Sequence, residues 1–175
     1  MIDTSVFTHI ARAEHLDTLR DLAPGEIVVI PTDVHDEIQR GRELHTGIPD
    51  PSALPWLTLT ALSDEEVLTQ LQVKAELGGS SLKNLGECAV IACAEHRGLT
   101  ALLDDRQAIA QAKVHGVPHH DTLWLVIEAY ATTFDHDRTA AEQMVDDLLA
   151  TDMYLPVDSG ESLFAWAYTE GLLPR

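Results

Sequence analysis

Several acids stand far apart in the sequence, yet each follows a run that should deliver it to one place. Asp3 comes directly after Met1 and Ile2, Glu37 lies a turn or two into the helical pattern behind EIVVIP, Glu87 begins LGECAVIACA, and Asp104 and Asp105 close LTALL. In an open parallel sheet the loops at the carboxyl ends of the strands converge on one edge, and ligands bind there. Carboxylates forced together raise one another's pKa, so a gathered set of them implies a bound cation. Oxygen-only ligands with open positions favour Mg²⁺ or Mn²⁺ over zinc. Such a centre can bind a phosphodiester, lower the pKa of a water and stabilise the departing oxyanion. Taken singly, each acid also has an ordinary explanation. Asp3 or Asp105 could cap a helix, Glu37 and Glu87 could favour the positive ends of helix dipoles, and any of them could be surface charge.

Other side chains carry weaker signals. Arg40, Arg42 and Arg106 could position a phosphate, against the simpler reading of solvated ion pairs. His119 and His120 are adjacent, which puts their rings on opposite sides of an extended chain, so they read as loop histidines. Cys88 and Cys93 lie five apart in an apolar segment, a spacing that suits neither a disulfide framework nor a CxxC site, and they read as small buried apolar side chains.

The elements that would position these residues alternate along the chain. The 175 residues suit one domain with a short appendage. Spacings of three and four from Thr4 to Leu22 predict one helical face, EIVVIP a buried strand, and VHDEIQRGREL a helix. After a loop between Gly41 and Pro55, WLTLTAL predicts a strand, and Ser63 with Glu66 a capping box for a helix through about Leu77, stopped by Gly78 and Gly79. LGECAVIACAEHRG predicts a helix with Gly98 at its C-cap, LTALLDD a strand, and RQAIAQAKVHG a helix. Asp121 or Thr122 can cap LWLVIEAYATTF. Strands alternating with helices imply βαβ units and a mostly parallel sheet. Residues 1–134 would form the main domain, and 135–175 a helical appendage whose Met144, Val145, Leu148 and Leu149 pack on it.

Composition narrows the function classes. Eleven Lys and Arg against 29 Asp and Glu give a net charge of −18, which argues against non-specific polyanion binding through a basic surface but not against a metallonuclease. No apolar run reaches the ~20 residues of a membrane helix, and MIDTSVFTHI lacks the basic start of a signal peptide, so a cytoplasmic protein without membrane contact is expected.

Taken together, the motifs resemble the PIN domain family. MIDTSVF looks like its opening strand and D-T/S-S/N signature, IPTDVHDEI like its second strand and glutamate, and NLGECAVIACAEHRG like its G-E-x-A helix. ALLDDRQAIAQAKVHG, with HHDTLWLVIEA behind it, is similar to the family's T-D-D-R strand and helix, and the tail resembles the helical ending of bacterial VapC-type toxins. The resemblance implies an α/β fold, a three-layer α/β/α sandwich on a central mostly parallel sheet. It also implies a Mg²⁺- or Mn²⁺-dependent ribonuclease site. By position, the metal-binding acids would be Asp3, Glu37, Glu87 and Asp105, with Asp104 competing for the last place and Ser5 as a polar first-loop contact. RNA would be the substrate, and an antitoxin or a second copy the protein partner. Two departures stand out: Leu103 replaces a Thr common in the family, and only Met1 and Ile2 precede Asp3 where a longer strand is usual. They leave an alternative, a catalytically inactive module that binds a protein or nucleotide. A D-x-D phosphohydrolase fits less well, because MIDTSVF lacks the second aspartate.

Overall fold

Two short parallel ladders and one bridge form the strand layer of the computed structural model, which describes residues 1–78 and 83–174; Gly79 falls outside them. Strand β1 (Val28–Pro31) pairs in parallel with β2 (Leu57–Thr60), Val28 opposite Leu57. Strand β3 (Ala101–Leu102) pairs in parallel with β4 (His119–His120). Ile2 joins β3 by a single parallel bridge to Leu102, whose N–H donates to the Met1 carbonyl at 2.8 Å and whose carbonyl accepts from Asp3 at 3.3 Å. With every pairing parallel, each return of the chain needs a crossover, and helices supply it. The result is a mixed α/β architecture, with a small parallel strand layer and helices making the connections.

The helices are α1 (Thr4–Arg12), α2 (Leu16–Leu22), α3 (Thr32–Arg42), α4 (Asp64–Leu77), α5 (Leu85–Arg97), α6 (Arg106–Val114), α7 (Thr122–Ala131), α8 (Arg138–Leu149) and α9 (Leu163–Glu170). Helix α5 buries every residue from Cys88 to Ala94, as an all-round apolar helix at the centre of a domain must. Both cysteines are buried and free, and burial pushes their thiols up to about 12 and 11. Helix α4 starts with the complete capping box: Ser63 Oγ accepts from Glu66 N–H, and the Glu66 carboxylate accepts from Ser63 N–H at 2.7 Å. Gly98 ends α5 in the left-handed region, at φ 63°.

Three details differ from the sequence reading. The single helix expected over Thr4–Leu22 is broken between α1 and α2, where Glu14 takes φ 63° and His15 N–H closes onto the Ile10 carbonyl at 3.0 Å. The apolar spacing carries across this break, because Ile10 and Leu19 both reach the core. The strand expected over LTALLDD shrinks to two residues, since it pairs only as far as its short neighbours allow. His119 and His120 form β4 rather than a loop, and the His120 ring stacks on Trp124 with centroids 3.5 Å apart.

The tail is built into the core. Ala141, Met144, Val145 and Leu148 of α8 are fully buried, and α8 packs against α7 and α1. Leu163, Phe164 and Ala167 of α9 join the same cluster, with the Arg138 guanidinium 4.0 Å above the Phe164 ring. His9 Nδ1 meets Thr151 Oγ1 at 2.7 Å and His15 Nε2 meets Asp147 Oδ2 at 2.9 Å, so the tail is also tied to the first helices by polar contacts. Among the described residues no helix is long and apolar enough to cross a membrane.

Candidate active site

Asp3 leaves the Ile2 bridge and caps α1, its Oδ1 accepting from Val6 N–H at 2.7 Å. The residue is 1% exposed, and Oδ2 is buried without a hydrogen-bond partner. One oxygen therefore serves the helix while the other is unsatisfied, a costly arrangement for a carboxylate. Burial first, and then the charge of Asp104, push its pKa well above the usual carboxylate range, with smaller contributions from Glu87 and Glu37.

Glu37 sits in the second turn of α3 and is gripped from two sides. Thr4 Oγ1 donates to Oε2 at 2.6 Å, and Gly86 N–H donates to Oε1 at 3.0 Å. Thr4 was not among the expected site residues, since its partner lies 33 positions away and no local spacing announces it. Gly86 carried one usable signal: a glycine inside the first turn of a helix costs stability and asks for a reason. The neighbouring Glu87 is half-buried, and burial raises its pKa, with the Glu37 and Asp105 charges adding to the rise.

The two aspartates after β3 have different duties. Asp104 accepts from Thr122 N–H at 2.9 Å with Oδ1 and from Thr122 Oγ1 at 2.8 Å with Oδ2, so both oxygens are engaged. Burial also raises its pKa. Asp105 caps α6, Oδ1 accepting from Gln107 N–H at 2.8 Å and Ala108 N–H at 2.9 Å. Its Oδ2 has no hydrogen bond to any described residue.

A cleft of about 440 Å³ brings Asp3, Ser5, Glu87, Asp104, Asp105 and Arg106 together, along with His9 and Tyr154. Glu37 does not line it and joins the group as a charge neighbour of Asp3 and Glu87. Ser5 is exposed at the cleft, while Thr4 provides the hydroxyl that holds an acid. Arg40 is exposed on α3 away from the cleft. Arg42 is occupied by Gln39, the Ile48 carbonyl and, at 3.4 Å, Asp50, which gives it a structural duty.

The donors fit a hard divalent cation: all are carboxylate oxygens, and the Asp3 oxygen is already desolvated and unpaired. Among the described residues no three His, Cys, Asp or Glu side chains are already drawn into a ready cage. The caps and the Thr122 clasp hold the acids to separate backbone partners, and their charges repel.

The PIN domain family model matches residues 1–164. No curated protein and no solved structure matches the chain. The match covers nearly the whole sequence, including the acids above, and the chain belongs to the PIN domain family.

Proposed function

We propose that this PIN domain protein is a Mg²⁺- or Mn²⁺-dependent ribonuclease and the toxin half of a VapC-type toxin–antitoxin pair. The observation that carries the reading is Asp3, a buried carboxylate with an unsatisfied oxygen, on a cleft shared with Glu87, Asp104 and Asp105. Asp3, Glu87 and Asp105 would hold the cation, with Glu37 completing the set. When bound, the cation offsets the acids' mutual repulsion, draws in the phosphodiester and makes water a better nucleophile.

The chain's own residues do the rest. Arg106, at the cleft, donates to a phosphate oxygen and orients the strand. Ser5 offers a hydroxyl at the same cleft. Asp104, clasped by Thr122, positions the turn that carries Asp105. Glu37 joins α1 to α5 through Thr4 and Gly86, which fixes the distance between Asp3 and Glu87. No side-chain nucleophile is required. Arg40, being exposed on α3, is a candidate contact for RNA beyond the cleft. The net charge of −18 suits a small antitoxin that brings arginines or lysines to the acidic site, and a second copy of the chain is a further partner to test.

The test is cleavage of a mixed RNA pool in Mn²⁺, Mg²⁺ or EDTA, beside Asp3→Asn. Cleavage that needs the metal and fails in the variant supports the mechanism. Cleavage that persists in both EDTA and Asp3→Asn sinks it, and RNA binding without cleavage moves the protein to the binding-module reading. Purification from the native host that repeatedly yields the chain alone would count against the toxin role and leave the nuclease in place.

A further inference from the structure

Beside the acid cleft lies a smaller pocket of about 140 Å³, and the two share Asp104, Arg106 and Tyr154. Ile109, Leu123 and Leu155 give the smaller pocket an apolar wall. Tyr154 is 81% exposed, and it borders both pockets, so its ring is open to a ligand in either. The surrounding backbone explains how it is held there. Met153 and Leu155 on either side are buried, and burial alternates from Thr151 to Asp158, so this irregular segment is pinned by every second residue. The ring is therefore presented outward by a fixed strap and does not sit on a loose loop tip. Arg106 makes no ion pair with any described residue, although the chain carries 29 acids for 11 basic residues.

We propose that this pocket is a nucleobase subsite. A base of single-stranded RNA, next to the phosphate held in the acid cleft, leaves the stack and lies on the Tyr154 ring, while Arg106 spans from that base to its phosphate. A flat aromatic face accepts any base, and an apolar wall desolvates it. A duplex keeps its bases stacked and cannot fill the pocket. The inference rests on the nuclease reading for its substrate class, but not for its test.

The experiment measures binding of the full-length protein to a single-stranded pentaribonucleotide carrying 2-aminopurine, in Ca²⁺ and in EDTA. Fluorescence reports stacking of the base, and titration reports affinity. Wild type should quench the probe, Tyr154→Phe should keep both the quench and the affinity, and Tyr154→Ala should lose the quench and weaken binding about 10-fold. Arg106→Ala should weaken binding while the bound probe stays quenched. Equal quench and affinity in wild type and Tyr154→Ala would overturn the subsite. So would absence of binding by wild type, or equal binding of a duplex. Metal-dependent cleavage with unchanged binding by Tyr154→Ala would leave the nuclease standing without the subsite. Stacked binding without cleavage would do the reverse.

Discussion

Glu37 and Gly86 interlock: the Gly86 N–H donates to Oε1 at 3.0 Å, and a Cβ at position 86 would meet Oε2 at 2.5 Å. The same Cβ would also lie 3.1 Å from Thr4 Oγ1. Gly86→Ala should therefore push the carboxylate off both partners. The Glu37 side-chain end can swing away, so stability should fall little. Metal-dependent cleavage should fall about 10- to 100-fold, the usual loss when a support behind a metal ligand is removed. Rate and melting temperature measured on the same variant check the split; an equal fall in stability and rate would mean that packing alone is at stake.

Asp104 and Asp105 separate by the duties of their oxygens. Asp105→Asn keeps an oxygen for the α6 cap and should abolish cleavage without destabilising the fold. Asp105→Ala should also lose about 1 kcal/mol of stability, the ordinary cost of a missing cap. Asp104→Asn should leave a measurable rate, about 10- to 100-fold down, because its oxygens serve Thr122. Single-turnover rates and denaturant midpoints for the three variants decide the ranking, and a reversed order would give the ligand role to Asp104.

The metal-free protein should lose stability as the pH rises toward neutrality. Asp3, Glu87 and Asp104 all have pKa values raised by burial, so the folded state keeps protons that the unfolded chain releases. Their stability contribution is complete below the unfolded carboxylate values and is lost as pH climbs through the folded ones. Glu66 acts in the opposite direction. Arg97 pulls it down to about 2, so its contribution holds above the ordinary glutamate value and is lost as pH falls toward about 2. Melting temperatures across the pH range should peak on the mildly acidic side in EDTA. Asp3→Asn should flatten the fall above the peak.

Mn²⁺ should restore what neutral pH removes. A ligand that binds only the folded state adds roughly 2.7 kcal/mol at a hundredfold excess over its dissociation constant. Thermal unfolding with Mn²⁺ and with EDTA should show this shift in wild type and a reduced one in Asp3→Asn and Asp105→Asn. The same shift in all three proteins would place the ion elsewhere.

Glu66 is 3% exposed and meets the Arg97 guanidinium with both oxygens, while Arg97 also reaches Thr60 Oγ1 at 2.6 Å and the Ala61 carbonyl at 2.9 Å. Arg97→Met should destabilise by about 3 kcal/mol, because it strands a buried charge. Adding Glu66→Gln to that variant should recover part of the loss. Urea midpoints of the two single variants and the double variant measure the coupling.

The features readable from the sequence were those written in neighbouring residues. The Ser63–Glu66 capping box, the Gly98 C-cap and the burial of Met144, Val145 and Leu148 each follow from spacings within one or two turns. Asp3, Asp104 and Asp105 were legible for a related reason, since each closely follows a run that pairs as a strand, and Glu87 because it opens an apolar helix. The turn at Glu14 was hidden because a non-glycine residue takes the left-handed region there and the apolar spacing continues on both sides. The Thr4–Glu37 and Thr122–Asp104 contacts were hidden because each joins residues brought close only by the finished fold, 33 and 18 positions apart. Tyr154 has no signature in neighbouring residues, because it lies between α8 and α9 in a segment without helix or strand, and the pocket it borders draws on residues about 30 to 50 positions earlier.

The burial of α8 against α1 has a bearing on when the molecule becomes competent. The His9–Thr151 and His15–Asp147 contacts span 142 and 132 positions, and Tyr154 reaches the cleft from the segment behind α8. On the ribosome, α1 and Asp3 emerge well before the partners that follow them more than 130 positions later. The cleft is complete only once the strap around Tyr154 has left the exit tunnel. A nascent chain therefore carries Asp3, Glu87, Asp104 and Asp105 in an unfinished arrangement until the segment around Tyr154 has followed them out and folded against them.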